Sequence, residues 1–211
     1  MIAEIIEKYC IENGSNFEHA TLLDEIERYT NVKVQMPQMI SGKYQGQMLS
    51  FLSKLLRPKR ILEIGTFTGY SGICLASGLS EDGKMITIDI NEEHYDDVNT
   101  FFEKSGLSDK IDYQIGNALE IIPTLAGTFD IIFLDADKKN YVNYLPLLIS
   151  KMHKGSLLIT DNVLWKGKVA QEQKDSDTLA IDQFNKQLNK HPQLDVIIVP
   201  IRDGVSLCYK K

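Results

Sequence analysis

Apolar residues recur at helical spacing through the first fifty-odd positions, and then the period changes. Ile2, Ile5, Ile6 and Tyr9 share one face of a helix. Ser15 is suited to cap a second helix carrying His19, Leu22, Leu23 and Ile26. Pro37 breaks the pattern. Met48, Phe51, Leu52, Leu55 and Leu56 then form an apolar stripe that ends at Pro58. Beyond Pro58, short β-like runs alternate with helical stretches. The runs are Arg60–Ile64, Met85–Ile90, Ile111–Ile115, Phe129–Leu134, Ser156–Thr160, Val196–Val199 and Val205–Tyr209. Helices are expected near 70–79, 92–105, 117–125, 140–151 and 177–190.

Such alternation predicts a parallel sheet covered by helices on both faces. The last two runs are joined only by Pro200-Ile-Arg-Asp-Gly204, too short for a helical crossover, so they should form an antiparallel hairpin. The expected fold is α/β and Rossmann-like: a seven-stranded, mostly parallel sheet with an antiparallel C-terminal strand and N-terminal helices. No linker interrupts the chain. We expect one domain over 1–211, with 1–57 as a helical cap and 58–211 as the core.

Composition narrows the class. With 211 residues, 43% hydrophobic and 25% charged, the chain has globular values, which disfavours disorder, collagen and coiled coil. No apolar run reaches the roughly 18 residues of a membrane span, and MIAEIIEKYC lacks the apolar core of a signal peptide. A cytoplasmic enzyme is the expectation. Cys10, Cys74 and Cys208 form neither a zinc pattern nor a disulfide framework. A net charge of −6 argues against broad nucleic-acid binding.

The most informative stretch is Ile61-Leu-Glu-Ile-Gly-Thr-Phe-Thr-Gly-Tyr-Ser-Gly72. A strand runs into a turn containing Gly65 and Gly69, and a helix follows. Ligands bind at such strand ends, although a tight turn alone also asks for glycine. Phe67 occupies the position where a dinucleotide fingerprint needs its second glycine, and no Gly-Lys-Ser/Thr follows for a phosphate loop. A carboxylate at Glu63 would repel phosphate and attract a cation or an amine. S-adenosylmethionine, with a sulfonium and an ammonium, therefore fits better than NAD or ATP. Asp89 ends the second strand, where an acid accepts ribose hydroxyls. Gly116-Asn117-Ala118 follows the third strand, where it would border the adenine.

Two further strands end in acids. Phe129–Leu134 leads into Asp135-Ala-Asp-Lys138, and Ser156–Thr160 into Asp161-Asn162. On adjacent strands, Asp135, Asp161 and Asn162 would converge as oxygen donors, suited to Mg²⁺, Mn²⁺ or Ca²⁺ rather than zinc. The alternative is helix capping by the two aspartates. Lys138 would point into the same cleft from a first helical turn and act as a base. An ordinary surface lysine is the alternative there.

In order along the chain stand Ser41-Gly-Lys-Tyr-Gln-Gly-Gln47, Glu63-Ile-Gly-Thr-Phe-Thr-Gly-Tyr-Ser71, Ile88-Asp89, Asp135-Ala-Asp-Lys138 and Asp161-Asn-Val-Leu-Trp165. With these strings the chain resembles the cation-dependent O-methyltransferases of the catechol and caffeoyl-CoA type, including their bacterial members. The resemblance implies the class I methyltransferase fold and a homodimer. It implies that Ser41, Glu63, Gly65, Thr66, Ser71, Asp89 and Ala118 hold S-adenosylmethionine, with Met39 near the methyl donor. Asp135 would serve both donor and metal; Asp161 and Asn162 would complete the metal ligands. Lys138 would be the base and Trp165 would line the acceptor site. The stretch around Lys166-Gly-Lys168 and 170–177 is not clearly matched to plant enzymes, so the expected acceptor is a small catechol-like or phenolic hydroxyl compound. Some bacterial relatives modify a hydroxylated uridine in tRNA. Lys166, Lys168, Lys210 and Lys211 would be the local basic patch for such a substrate. A nucleotide-binding oxidoreductase and a non-catalytic binding module remain as more distant alternatives.

Overall fold

A computed structural model describes residues 4–14 and 18–211. Ile2 and the expected cap at Ser15 lie outside the described residues. The chain forms two compact units, one of the described residues up to Asn117 and one of Ala118–Lys211.

The first unit opens with α1 (Glu4–Asn13), α2 (Ala20–Lys33) and α3 (Gly42–Leu56). It continues with β1 (Arg60–Ile64), α4 (Tyr70–Ala76), β2 (Lys84–Asp89), α5 (Tyr95–Ser105) and β3 (Ile111–Ile115). β1 pairs in parallel with β2, and β2 with β3. α2 buries Leu23, Ile26 and Thr30 at helical spacing.

α3 departs from the sequence expectation. Its buried face is Gln45, Gly46, Leu49, Ser50 and Ser53, not the apolar stripe. Phe51 and Leu55 are each 69% exposed. The cause is close helix approach. A Cβ on Gly78, just past α4, would lie 2.3 Å from the Ser53 carbonyl carbon, and Ser53 Oγ donates to Leu75 O at 2.5 Å. Where α3 meets the end of α4 only a small side chain such as Ser53 fits, and Phe51 and Leu55 turn outward.

The second unit holds α6 (Ala118–Thr124), β4 (Phe129–Leu134), α7 (Tyr141–Ser150), β5 (Met152–Thr160), α8 (Ser176–Lys190), β6 (Leu194–Val199) and β7 (Val205–Lys210). β4 carries the apolar run Ile131–Leu134, as expected of a strand covered on both faces, and these four residues are wholly buried. β5 begins four residues before the expected start. A register shift near Phe129 and Ile131 lets Met152 pair with Phe129, and Ser156 Oγ donates to Phe129 O at 2.7 Å. The polar string His-Lys-Gly-Ser hides this early part of the strand. β5 pairs in parallel with β4 and antiparallel with β7, and β7 pairs antiparallel with β6. The seven strands read β3-β2-β1-β4-β5-β7-β6, and β7 alone runs against the rest, as the hairpin argument requires.

Candidate active site

In the first unit the carboxyl ends of β1 and β2 build a polar cluster. Glu63 is wholly buried. Its carboxylate accepts from Ser71 Oγ and from Thr87 Oγ1, each at 2.5 Å. The hydroxyls of Thr66 and Thr87 stand 2.6 Å apart. Glu63 thus ties strand β1, strand β2 and the start of α4 around the glycine turn. Glycine is required within that turn. Gly65 and Gly69 have φ of 101° and 80°, and a Cβ on Gly72 would meet Glu63 Oε2 at 3.0 Å. Phe67 also lies in the left-handed region, at φ 50°. Its N–H donates to Asp89 Oδ2 at 2.7 Å, and that of Asn91 to Asp89 Oδ1 at 2.9 Å. Asp89 therefore holds the turn while half-exposed at the end of β2.

The other expected donor-site residues of this unit divide in position. Ser41 is buried at the start of α3, whereas Met39, in the short 3₁₀ turn Pro37–Met39, is 55% exposed. Gly116 N–H donates to Asp89 O at 2.8 Å, which sets Gly116 and Asn117 at the β2–β3 strand ends. Thr87 and Ile90 escaped the sequence reading. Thr87 is a polar residue two before Asp89 within an apolar strand, a period-two signal that was there to read. Ile90 follows Asp89 and is 77% exposed, an apolar surface beside the acid that ends β2.

In the second unit Ala118 is buried at the first position of α6. The register Leu134↔Thr160 sets Asp135 and Asp161 side by side at the ends of β4 and β5, and Asp161 N–H donates to Leu134 O at 3.0 Å. Asp161 is only 4% exposed, and its Oδ1 accepts from Asn162 N–H at 2.7 Å. Asn162 has φ 58°, a conformation that asparagine tolerates. Lys138 Nζ donates to Asp135 Oδ1 at 2.6 Å and to the Tyr141 hydroxyl at 2.9 Å. That hydroxyl donates to Asp161 O at 3.1 Å.

Burial pushes the Lys138 amine toward its neutral form, but the oxygens of Tyr141 and Asp135 outweigh burial and hold it above the ordinary lysine range. Burial also pushes the Tyr141 phenol up, against the pull of Lys138. Tyr141 is the residue that sequence reasoning missed here. It is wholly buried and stands one helical turn after Lys138.

Among the described residues no three His, Cys, Asp or Glu side chains converge on a metal-sized site. Asp135, Asp161 and Asn162 offer side-chain oxygens, the donor chemistry that a hard divalent cation takes. Trp165 is half-buried in the loop after β5. The four lysines of the expected basic patch are mostly engaged. Lys168 pairs with Asp175 at 3.0 Å and Lys211 with Asp195 at 3.5 Å, while Lys210 is buried and donates to Gln193 Oε1 at 2.9 Å.

A glycine turn at the end of β1, an acid at the end of β2 and a reversed β7 define a methyltransferase of the Rossmann-like class. Solved structures bear this out. A Podospora anserina methyltransferase with SAH bound matches with a TM-score of 0.89 and 26% identity, covering 99% of this chain and 95% of that one. An O-methyltransferase from Bacillus cereus in complex with SAH matches with a TM-score of 0.89 and 26% identity, covering 98% and 97%. The family model described as O-methyltransferase matches residues 12–211, and the chain belongs to that family, whose enzymes draw their methyl group from S-adenosylmethionine. A caffeoyl-CoA O-methyltransferase of Petroselinum crispum is 38% identical over 184 residues, 81% of this chain and 76% of the relative.

Proposed function

We propose that this chain transfers the methyl group of S-adenosylmethionine to a hydroxyl of a small catechol-like or phenolic acceptor, with a divalent cation, Mg²⁺ first, held by Asp135, Asp161 and Asn162. The observation that carries the reading is the register Leu134↔Thr160, which sets Asp135 and Asp161 at neighbouring strand ends, with Lys138 paired to Asp135. Glu63, Ser71 and Thr87 fix the glycine turn. Gly65, Thr66 and Ser41 then present backbone and hydroxyl groups to the methionine moiety, with Met39 close to the methyl. Asp89 accepts from the ribose hydroxyls. Gly116, Asn117 and Ala118 border the adenine, with the exposed Ile90 as an apolar contact.

The donor is already activated, so the protein's work is to position the acceptor and deprotonate it. A cation held by Asp135, Asp161 and Asn162 would supply Lewis acidity at this site. Lys138 Nζ handles the acceptor proton. In the described state it carries its own proton toward Asp135, so it serves as base once Asp135 is drawn toward another partner, and as an ammonium it stabilises a neighbouring oxyanion. Trp165 lines the acceptor site.

We further propose a cytoplasmic homodimer. The unpaired Cys10, Cys74 and Cys208 suit a reducing compartment. The outward Phe51 and Leu55 of α3, with Ile5 and Tyr9 of α1, offer an apolar face for a second copy. Light scattering should give twice the chain mass; a monomeric mass would exclude the dimer.

The metal reading is tested by titrating Mg²⁺ into the protein and into Asp161→Ala and Asn162→Ala variants. Binding in the wild type, lost in both variants along with cation-dependent turnover, supports it. Binding or turnover unchanged in the variants counts against it. The engaged lysines give no particular support to a tRNA acceptor, which enters as an outcome of the assay that closes the Discussion.

A further inference from the structure

Trp165, Lys166 and Gly167 follow one another in the left-handed backbone region, with φ of 47°, 55° and 77°. Two adjacent non-glycine residues leave that region unless something holds them there. The hold comes from the turn between β6 and β7. Val163 N–H donates to Gly204 O at 3.0 Å, and Leu164 N–H to Asp203 O at 2.9 Å. Lys166 N–H, inside the left-handed run, donates to the Asp203 carboxylate. Gly204 has φ 84°, and a Cβ there would lie 2.3 Å from Leu164 Cγ. The turn is shaped to receive Leu164. From the other side Asn185 Nδ2 of α8 donates to Val163 O at 2.8 Å.

Every bond but one in this clamp goes to a backbone oxygen. The exception is the Asp203 carboxylate, and it grips the residue next to Trp165. We propose that Asp203 is a positioning residue for the methyl acceptor: its carboxylate fixes the left-handed run at 165–167 and so sets where the Trp165 indole stands. This rests on the proposed acceptor role of Trp165. Acceptor affinity and the choice between two neighbouring hydroxyls are then set in part by the C-terminal hairpin, through a side chain that need not touch the acceptor.

Trp165 is the chain's single tryptophan, so its fluorescence reads the loop without any substrate. The experiment compares wild type, Asp203→Ala and Asp203→Asn, the last keeping an oxygen that accepts from Lys166 N–H. Melting curves confirm that each variant is folded. In Asp203→Ala, acrylamide quenching of Trp165 should rise about twofold as the loop loosens, and Asp203→Asn should stay near wild type. With a catechol as acceptor, KM for the catechol should rise about tenfold in Asp203→Ala and the ratio of the two methylated products should shift. KM for S-adenosylmethionine should hold. Quenching unchanged in Asp203→Ala, or raised equally in Asp203→Asn, overturns the proposal. A wild-type protein that methylates no catechol counts against the proposed acceptor alone, and the quenching comparison still decides whether Asp203 fixes the loop.

Discussion

A buried carboxylate at Glu63 is costly unless its oxygens are engaged, and here both accept short hydroxyl hydrogen bonds. Replacing Glu63 with Gln puts an NH₂ where one of these hydroxyls donates. Glu63→Gln should destabilise the fold by about 1–2 kcal/mol and weaken S-adenosylmethionine binding in calorimetry. Unchanged stability would contradict the role of Glu63 in holding the turn. Lys138 differs because its partners are the acid and phenol of the proposed reaction centre. Lys138→Ala should lower turnover by roughly 10²-fold or more while leaving S-adenosylmethionine affinity nearly unchanged. Turnover like wild type would remove Lys138 from the chemistry. Residues such as Glu63, Asp89, Asp135 and Asp161 were legible because acids at strand ends are unusual against apolar runs. Their partners were less so. Thr87 and Tyr141 act through hydrogen bonds formed across strands and helix turns, and sequence spacing gives only their distance along the chain.

At the scale of elements, helix packing supplies a sharp test. Gly78→Ala drives a Cβ into the backbone of Ser53 and Lys54, at 2.3 and 2.4 Å, which no side-chain rotation relieves. The expected cost is about 2–3 kcal/mol, seen as a fall in Tm. A neutral variant would mean that α3 and the end of α4 stand farther apart than described. The cap of α8 gives a pH test. Asp175 Oδ1 accepts from the Thr178 hydroxyl and backbone N–H, and with Lys168 nearby the carboxyl falls from the ordinary 3.8 to about 2. A depressed acid stabilises above its unfolded value and loses that contribution as pH falls through its folded value. The Tm advantage of wild type over Asp175→Asn should therefore be full above pH ~4 and shrink toward pH ~2. A difference that does not vary with pH would contradict the charged cap. Strand β4 was readable to the residue because burial on both faces leaves the apolar run Ile131–Leu134. The start of β5 was not, because its register shift at Phe129 pairs polar residues. The buried face of α3 was misleading for a related reason: contact between backbones selects Gly46, Ser50 and Ser53, and hydrophobicity alone points at Phe51 and Leu55.

For the whole molecule, strand order follows from simple rules: a crossover helix demands parallel strands, and five residues between β6 and β7 demand a reversal. The family match over residues 12–211 extends beyond the stretch from Ser41 to Trp165 that the sequence motifs span. The central claim is cation-dependent methylation of a small hydroxyl compound. Its most direct test is transfer of label from S-adenosylmethionine to a catechol panel and, in parallel, to total tRNA, each with Mg²⁺ and with a chelator. The account predicts label on a catechol, lost on chelation. Label on tRNA alone, or label on catechols that persists under chelation, would contradict it.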